Sequence, residues 1–190
     1  AEEETGVSLM EMVEAMDAGR VFGIEKFKIE PSDNFLTIAS KMVKASATLI
    51  EEVLPSVISG ENKGVQQEES QVTFAPLLKI KDEWINLEND DVKNVLGRIQ
   101  AFAPATGALL SYDDLPLKIY EARFDNNNVT RTIGELFIRD KKLLLQVKGG
   151  QIEVLKLQKS GKKIIDARSF INGEKHKLPT ILKGYIDAEI

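Results

Sequence analysis

The sequence has no cysteine, which excludes a disulfide framework and every thiolate metal site. Histidine occurs once, at position 176, in a lysine-rich GEKHKLP stretch that offers neither an orienting carboxylate nor a shaped pocket. His176 therefore reads as a surface residue, and no metal is expected. Apolar runs such as Leu143 to Leu145 fall far short of the roughly 20 residues a membrane span needs. Neither GxxxxGK[ST] nor GxGxxG occurs, so nucleotide cradles of those kinds are absent. The opening AEEETG carries no basic or apolar leader. These absences give the expectation of a cytoplasmic protein without a membrane partner.

The charge that is present is unevenly spread. The net charge is -5, yet residues 1–70 hold 6 Lys and Arg against 14 Asp and Glu, while 71–190 hold 19 against 16. An acidic first segment and a mildly basic second one suggest two units with different partners, the basic one suited to a polyanion. Within it, residues 155–177 concentrate cations. Lys159, Lys162 and Lys163 flank Gly161 just after a predicted strand, where a rigid turn can present ammonium groups to phosphates. The same pattern also suits a lysine-decorated hairpin that keeps a sheet edge soluble. Lys118 and Lys148 are further candidate cations on the same part of the chain.

The pattern along the chain predicts an α+β protein. TGVSLMEM and VFGIEKFKIE read as strands, although Phe22 and Gly23 spoil strict alternation in the second. PSDN then offers Ser32, Asp33 and Asn34 as caps for a long helix. On that helix Phe35, Ile38, Met42, Ala45, Leu49 and Val53 form one apolar stripe that needs a partner. This strand-strand-helix portion, residues 1–60, reads as the remnant of a larger domain, able to self-associate through the exposed helix. Polar, glycine-containing residues 61–71 read as a linker. In 72–190 a short helix over 88–102, capped by Asn89 or Asp90, precedes five strands: ALLSY, PLKIYEARF, GELFIRD, KLLLQVK and IEVLKLQ. Turn signals at Asp113-Asp114, Asn126 to Asn128, Asp140-Lys141 and Gly149-Gly150 separate them, the spacing of a small antiparallel barrel. A last helix, IIDARSFING, is expected to stop at Gly173.

Two blocks, ETGVSLMEMVEAMDAG (4–19) and LQKSGKKIIDARSFINGE (157–174), flank QVTFAPLL, Trp84, IQAFAPATGALLSY and LKIYEARF in order. Together they resemble the later part of the methionyl-tRNA formyltransferase family. The resemblance implies the end of a Rossmann-like catalytic domain over 1–60, a linker, and a C-terminal barrel of the OB type over 72–190 that helps hold initiator methionyl-tRNA. It further implies formyl transfer from 10-formyltetrahydrofolate to the methionyl amino group. The family's catalytic Asn and His would lie upstream of residue 1, so this chain is expected to be inactive alone, and its Asp position is Glu2. By the same resemblance Lys159, Lys162, Lys163, Lys118 and Lys148 are the RNA-binding candidates. Gln100 to Gly107 departs from the family's Arg-Ala-Phe-Asn-Pro-Trp-Pro-Gly run, losing a cation and a stacking surface, and Arg20 replaces an acid. The alternative is a folate-dependent formyl hydrolase or sugar-amine formyltransferase relative whose barrel packs without binding RNA.

Overall fold

The computed structural model describes residues 2–127 and 129–184, which divide into a first compact unit, Glu2–Leu77, and a second that begins at Leu78. The chain is α+β, and its second unit is a nearly closed antiparallel barrel. Among the described residues, no helix is long and apolar enough to cross a membrane.

In the first unit, β1 (Glu4–Met10) and β2 (Val21–Lys28) pair antiparallel, and α1 (Phe35–Ile58) packs across both. Of the three cap candidates Asn34 serves: its side chain accepts from Leu36 and Thr37, and Thr37 returns a bond to the Asn34 amide. This reciprocal arrangement satisfies amides that the first helical turn leaves open. Gly23, which breaks the alternation of β2, lies where α1 crosses. A Cβ there would sit 2.9 Å from Val53 Cγ2 and 3.0 Å from Leu49 Cδ1. Ala45 and Leu49 are buried at this crossing, whereas Phe35 and Met42 at the other end of the predicted stripe are exposed. Residues 62–67 return to the hairpin: Val65 bridges Val21, Asn62 donates to the Phe22 carbonyl, and Gln67 donates to those of Asp17 and Gly19.

In the second unit, α2 (Val92–Phe102) precedes β3 (Ala108–Tyr112), β4 (Leu115–Asp125), β5 (Glu135–Arg139), β6 (Lys142–Val147) and β7 (Gly150–Lys159). The short β8 (Ile165–Asp166), α3 (Ala167–Glu174) and β9 (Thr180–Ile181) follow. The sheet order is β3-β4-β7-β6-β5-β9, with β8 added to β7. The cylinder closes just past β9, where Ser111 and Lys183 exchange backbone hydrogen bonds of 2.8 and 3.1 Å. Each hairpin turn has a local cause. Asp113-Asp114 and Asp140-Lys141 both adopt positive φ at the two central residues, the conformation whose twist matches a two-residue hairpin. The third turn signal, Asn126 to Asn128, falls partly on Asn128, outside the described residues. Inward positions of alternate residues, including Leu110, Leu117, Ile119, Leu136, Leu143, Leu145, Ile152, Val154 and Leu157, meet Ile85, Val95, Ile99 and Phe170 in one core.

Three sequence expectations need correction. The cap of α2 is Asp91, whose carboxylate accepts from the Asn94 amide at 2.9 Å. Asn89 does not fill that place, and Asp90 instead accepts from the Asn86 amide and faces Arg98. Ile165 and Asp166 are not the start of a helix but pair with Leu157 and Lys156 of β7. Asp166 then caps α3, which runs through Gly173 to Glu174 because the glycine faces open space. The barrel also has two strands more than the five predicted, β8 and β9, each only two residues long.

Candidate nucleic-acid interface

The lysine-bearing turn leaves the end of β7 and is fixed by its neighbours. The Lys162 amide donates to the Lys159 carbonyl at 3.0 Å. Gln158 Nε2 donates to the Lys162 carbonyl at 2.7 Å, and its Oε1 accepts from Tyr120 on β4 at 2.9 Å. Burial pushes the Tyr120 hydroxyl above its usual range, so it remains a donor. Lys118 pairs across the strands with Gln158, which places it on the same outward side as the turn. Lys162 and Lys163 are exposed, and among the described residues neither is ion-paired. The tip of the turn thus holds two free ammonium groups on a braced backbone, with a third cation beside them.

Behind the turn lies a cluster that sequence reasoning missed. Glu174, at the end of α3, receives a hydrogen bond from Tyr112 at 2.8 Å and one from Lys159. Lys177 lies 2.7 Å from Asp113 and 3.9 Å from Glu174. The two ammonium groups stand 5.6 and 5.9 Å from the centre of the Tyr112 ring, within reach of cation–π attraction. Phe170 meets that ring edge-on at 5.7 Å. The Lys159 hydrogen bond holds the Glu174 carboxyl below its usual range, while burial and then the bond to Glu174 push the Tyr112 hydroxyl well up. A cavity of about 210 Å³ opens beside these residues and Pro116. Lys159 is therefore turned onto the protein's own carboxylate instead of pointing outward with Lys162 and Lys163.

The remaining candidates are scattered. Lys148 follows β6, and its carbonyl accepts from the Val92 amide. It sits at the opposite end of β7 from the turn, about 30 Å away at strand rise. His176 is exposed in the short 3-10 turn Lys175–Lys177. Glu2 is exposed ahead of β1 in the other unit. No three His, Asp or Glu side chains come together as a metal would need among the described residues.

A second polar group covers the outer face of β4, β7, β6 and β5. Register aligns Arg123 with Glu153 and Asp125 with Gln151 across β4 and β7, and Arg139 with Lys142 across β5 and β6. Arg139 reaches Gln151 at 2.8 Å and also bonds Asp125. Gln151 donates to Gln146 at 2.9 Å, and Gln146 donates to the carbonyls of Val147 and Gly150. The available signal was the polar residue at every second place, Arg123 and Asp125 on one strand and Gln151 and Glu153 on the next.

Comparison with known proteins agrees with this division. Residues 77–175, nearly the extent of the barrel unit, match the family described as formyl transferase, C-terminal domain. A methionyl-tRNA formyltransferase of Staphylococcus aureus (strain MW2) is 33% identical over 179 residues, covering 93% of this chain and 57% of that protein. That of strain Newman is 32% identical over the same shares. The chain thus spans little more than half the length of these curated relatives. Among solved structures, HypX from Aquifex aeolicus in complex with tetrahydrofolic acid superposes with a TM-score of 0.67 at 19% identity, over 98% of this chain and 35% of that one. An N-formyltransferase from Helicobacter canadensis, in complex with folinic acid and dTDP-3-aminofucose, gives 0.65 at 17% identity, over 83% and 56%. At such identity these two speak for the fold. The sequence match and the barrel it coincides with lead to one assignment: this chain belongs to the formyltransferase family and carries that family's C-terminal domain.

Proposed function

We propose that this chain is the later part of a methionyl-tRNA formyltransferase and that its barrel grips the tRNA. The whole protein would transfer a formyl group from a folate donor to the amino group of methionine on initiator tRNA, with Glu2 at the position of the family's catalytic Asp. The observation that carries the reading is the braced turn with Lys162 and Lys163 free at its tip and Lys118 beside it. Cations on a pre-formed loop neutralise phosphates with little ordering cost. Lys159 holds the base of the turn through Glu174, and Lys148 would contact a separate part of any long polyanion. The curated relatives are named for the tRNA reaction and cover nearly all of this chain, which favours this reading over a sugar-directed relative. No buried side-chain nitrogen or oxygen lacks a hydrogen-bond partner among the described residues. None of them offers a preformed contact for a pterin ring, and their part in the reaction is to hold RNA.

The test is filter binding of unacylated initiator tRNA by the 190-residue chain across a range of salt. The Lys162→Ala/Lys163→Ala variant should bind more weakly, with a log–log salt slope shallower by about two, roughly one per lost phosphate contact. Equal affinity and an equal slope would remove the turn from the interface. No binding by the unaltered chain at low salt would favour the sugar-directed or hydrolase alternative.

A further inference from the structure

The outer face of β4–β7–β6–β5 balances its charges in composition but not in depth. Arg123 and Glu153 lie 2.9 Å apart, with side-chain exposures of 61% and 10%. Lys142, 41% exposed, stands 3.3 Å from Glu153 and 3.9 Å from Asp125, the latter 5% exposed. Arg131, 37% exposed, lies 2.6 Å from Glu135, 15% exposed. In each pair the acid forms the floor and the cation the roof. Solvent therefore meets guanidinium and ammonium groups, while the carboxylates below fix their positions. Arg131 is held further by the Phe137 ring, 4.1 Å from its guanidinium carbon, and Arg139 bonds Asp125 and Gln151 from the other side. Lys141 extends the exposed cations into the β5–β6 turn.

We propose that this face is a second RNA-backbone contact, distinct from the Lys162 turn, with Arg123, Arg131 and Lys142 as the phosphate-binding groups. The inference rests on the reading of the barrel as a tRNA-holding domain. Two features favour a phosphate chain over an acidic protein surface. Planar guanidinium groups match phosphate oxygens in pairs. Arg123 and Lys142 stand two strands apart, about 10 Å at ordinary strand spacing, so the face suits a ligand that repeats its charge along a line. The face lacks an exposed apolar centre of the kind that dominates protein interfaces, since Phe137 and Leu144 are buried within it.

The experiment uses the 190-residue chain and unacylated initiator tRNA, comparing Arg123→Gln/Arg131→Gln with Lys162→Ala/Lys163→Ala. Glu153 keeps Lys142 when Arg123 is neutralised, and a thermal melt checks that the variant folds. Two lost contacts should lower the salt slope by about two, so that between 0.2 and 0.05 M salt the unaltered chain gains about sixteenfold more affinity than the variant. Arg123→Lys/Arg131→Lys, which keeps the charge, should retain the slope. A folded glutamine variant with an unchanged slope, beside a lysine-turn variant whose slope falls, overturns this inference and leaves the tRNA reading intact. Absence of tRNA binding by the unaltered chain overturns both.

Discussion

Replacing Glu174 with Gln tests whether the base of the lysine turn is held as described. The carboxylate accepts from Tyr112 and from Lys159, and the pair is 16% and 33% exposed. Hydrogen bonds to a charged group are each worth about 1.5–3 kcal/mol, and the amide retains one acceptor, so the loss should be about 1–2 kcal/mol. Lys159→Met keeps the stem packed on Tyr112 but removes the ammonium. A double-mutant cycle of the two should give a coupling of about 1 kcal/mol. Trp84, the one tryptophan, lies in the barrel unit and bridges Leu109, so its fluorescence in a urea titration reports that unit. The pH arm has a defined sign. Lys159 holds the folded Glu174 pKa below its ordinary 4.5, so the contribution is full above that value and is lost as pH falls through the folded pKa. The Gln variant should lack this component of acid destabilisation. Lys159→Met should also leave the tRNA salt slope unaltered, where an outward phosphate contact would subtract about one. A coupling below about 0.5 kcal/mol, with identical acid limbs, would refute the account.

Two other positions are open to simple tests. Asp91→Ala removes the side chain that caps α2 and should cost about 0.5–2 kcal/mol in the same titration, whereas Asn89→Ala should be near neutral. Gly134 has φ of +86°, and a Cβ there would stand 2.6 Å from the Leu182 carbonyl at the barrel seam. Gly134→Ala should destabilise by about 2 kcal/mol or more, with amide exchange quickening first at Leu182 and Lys183.

The helices and strands were legible because their signals are local. Alternation marked the five longer strands, and the paired turn residues marked their hairpins. The errors came where a local signal had two owners. Asp90 looks as good a cap as Asp91 until Asn86 and Arg98 claim its carboxylate. Ile165 and Asp166 look helical until β7 supplies a partner strand. Lys159 looks like Lys162 in the sequence, but the chain folds a glutamate fifteen residues later onto it.

The sequence by itself determined the α+β composition, the charge division, the barrel's main strands and the family resemblance. Each is written in neighbouring residues, at periods of two or three to four, or in ordered blocks. Only the tertiary structure decided how Ser111 and Lys183 close the barrel, which cations face solvent and which are spent on buried acids. Those outcomes depend on contacts between residues far apart in the chain, such as Tyr112 with Glu174 and Arg123 with Glu153. No local pattern reports whether a charge lies above its partner or beneath it.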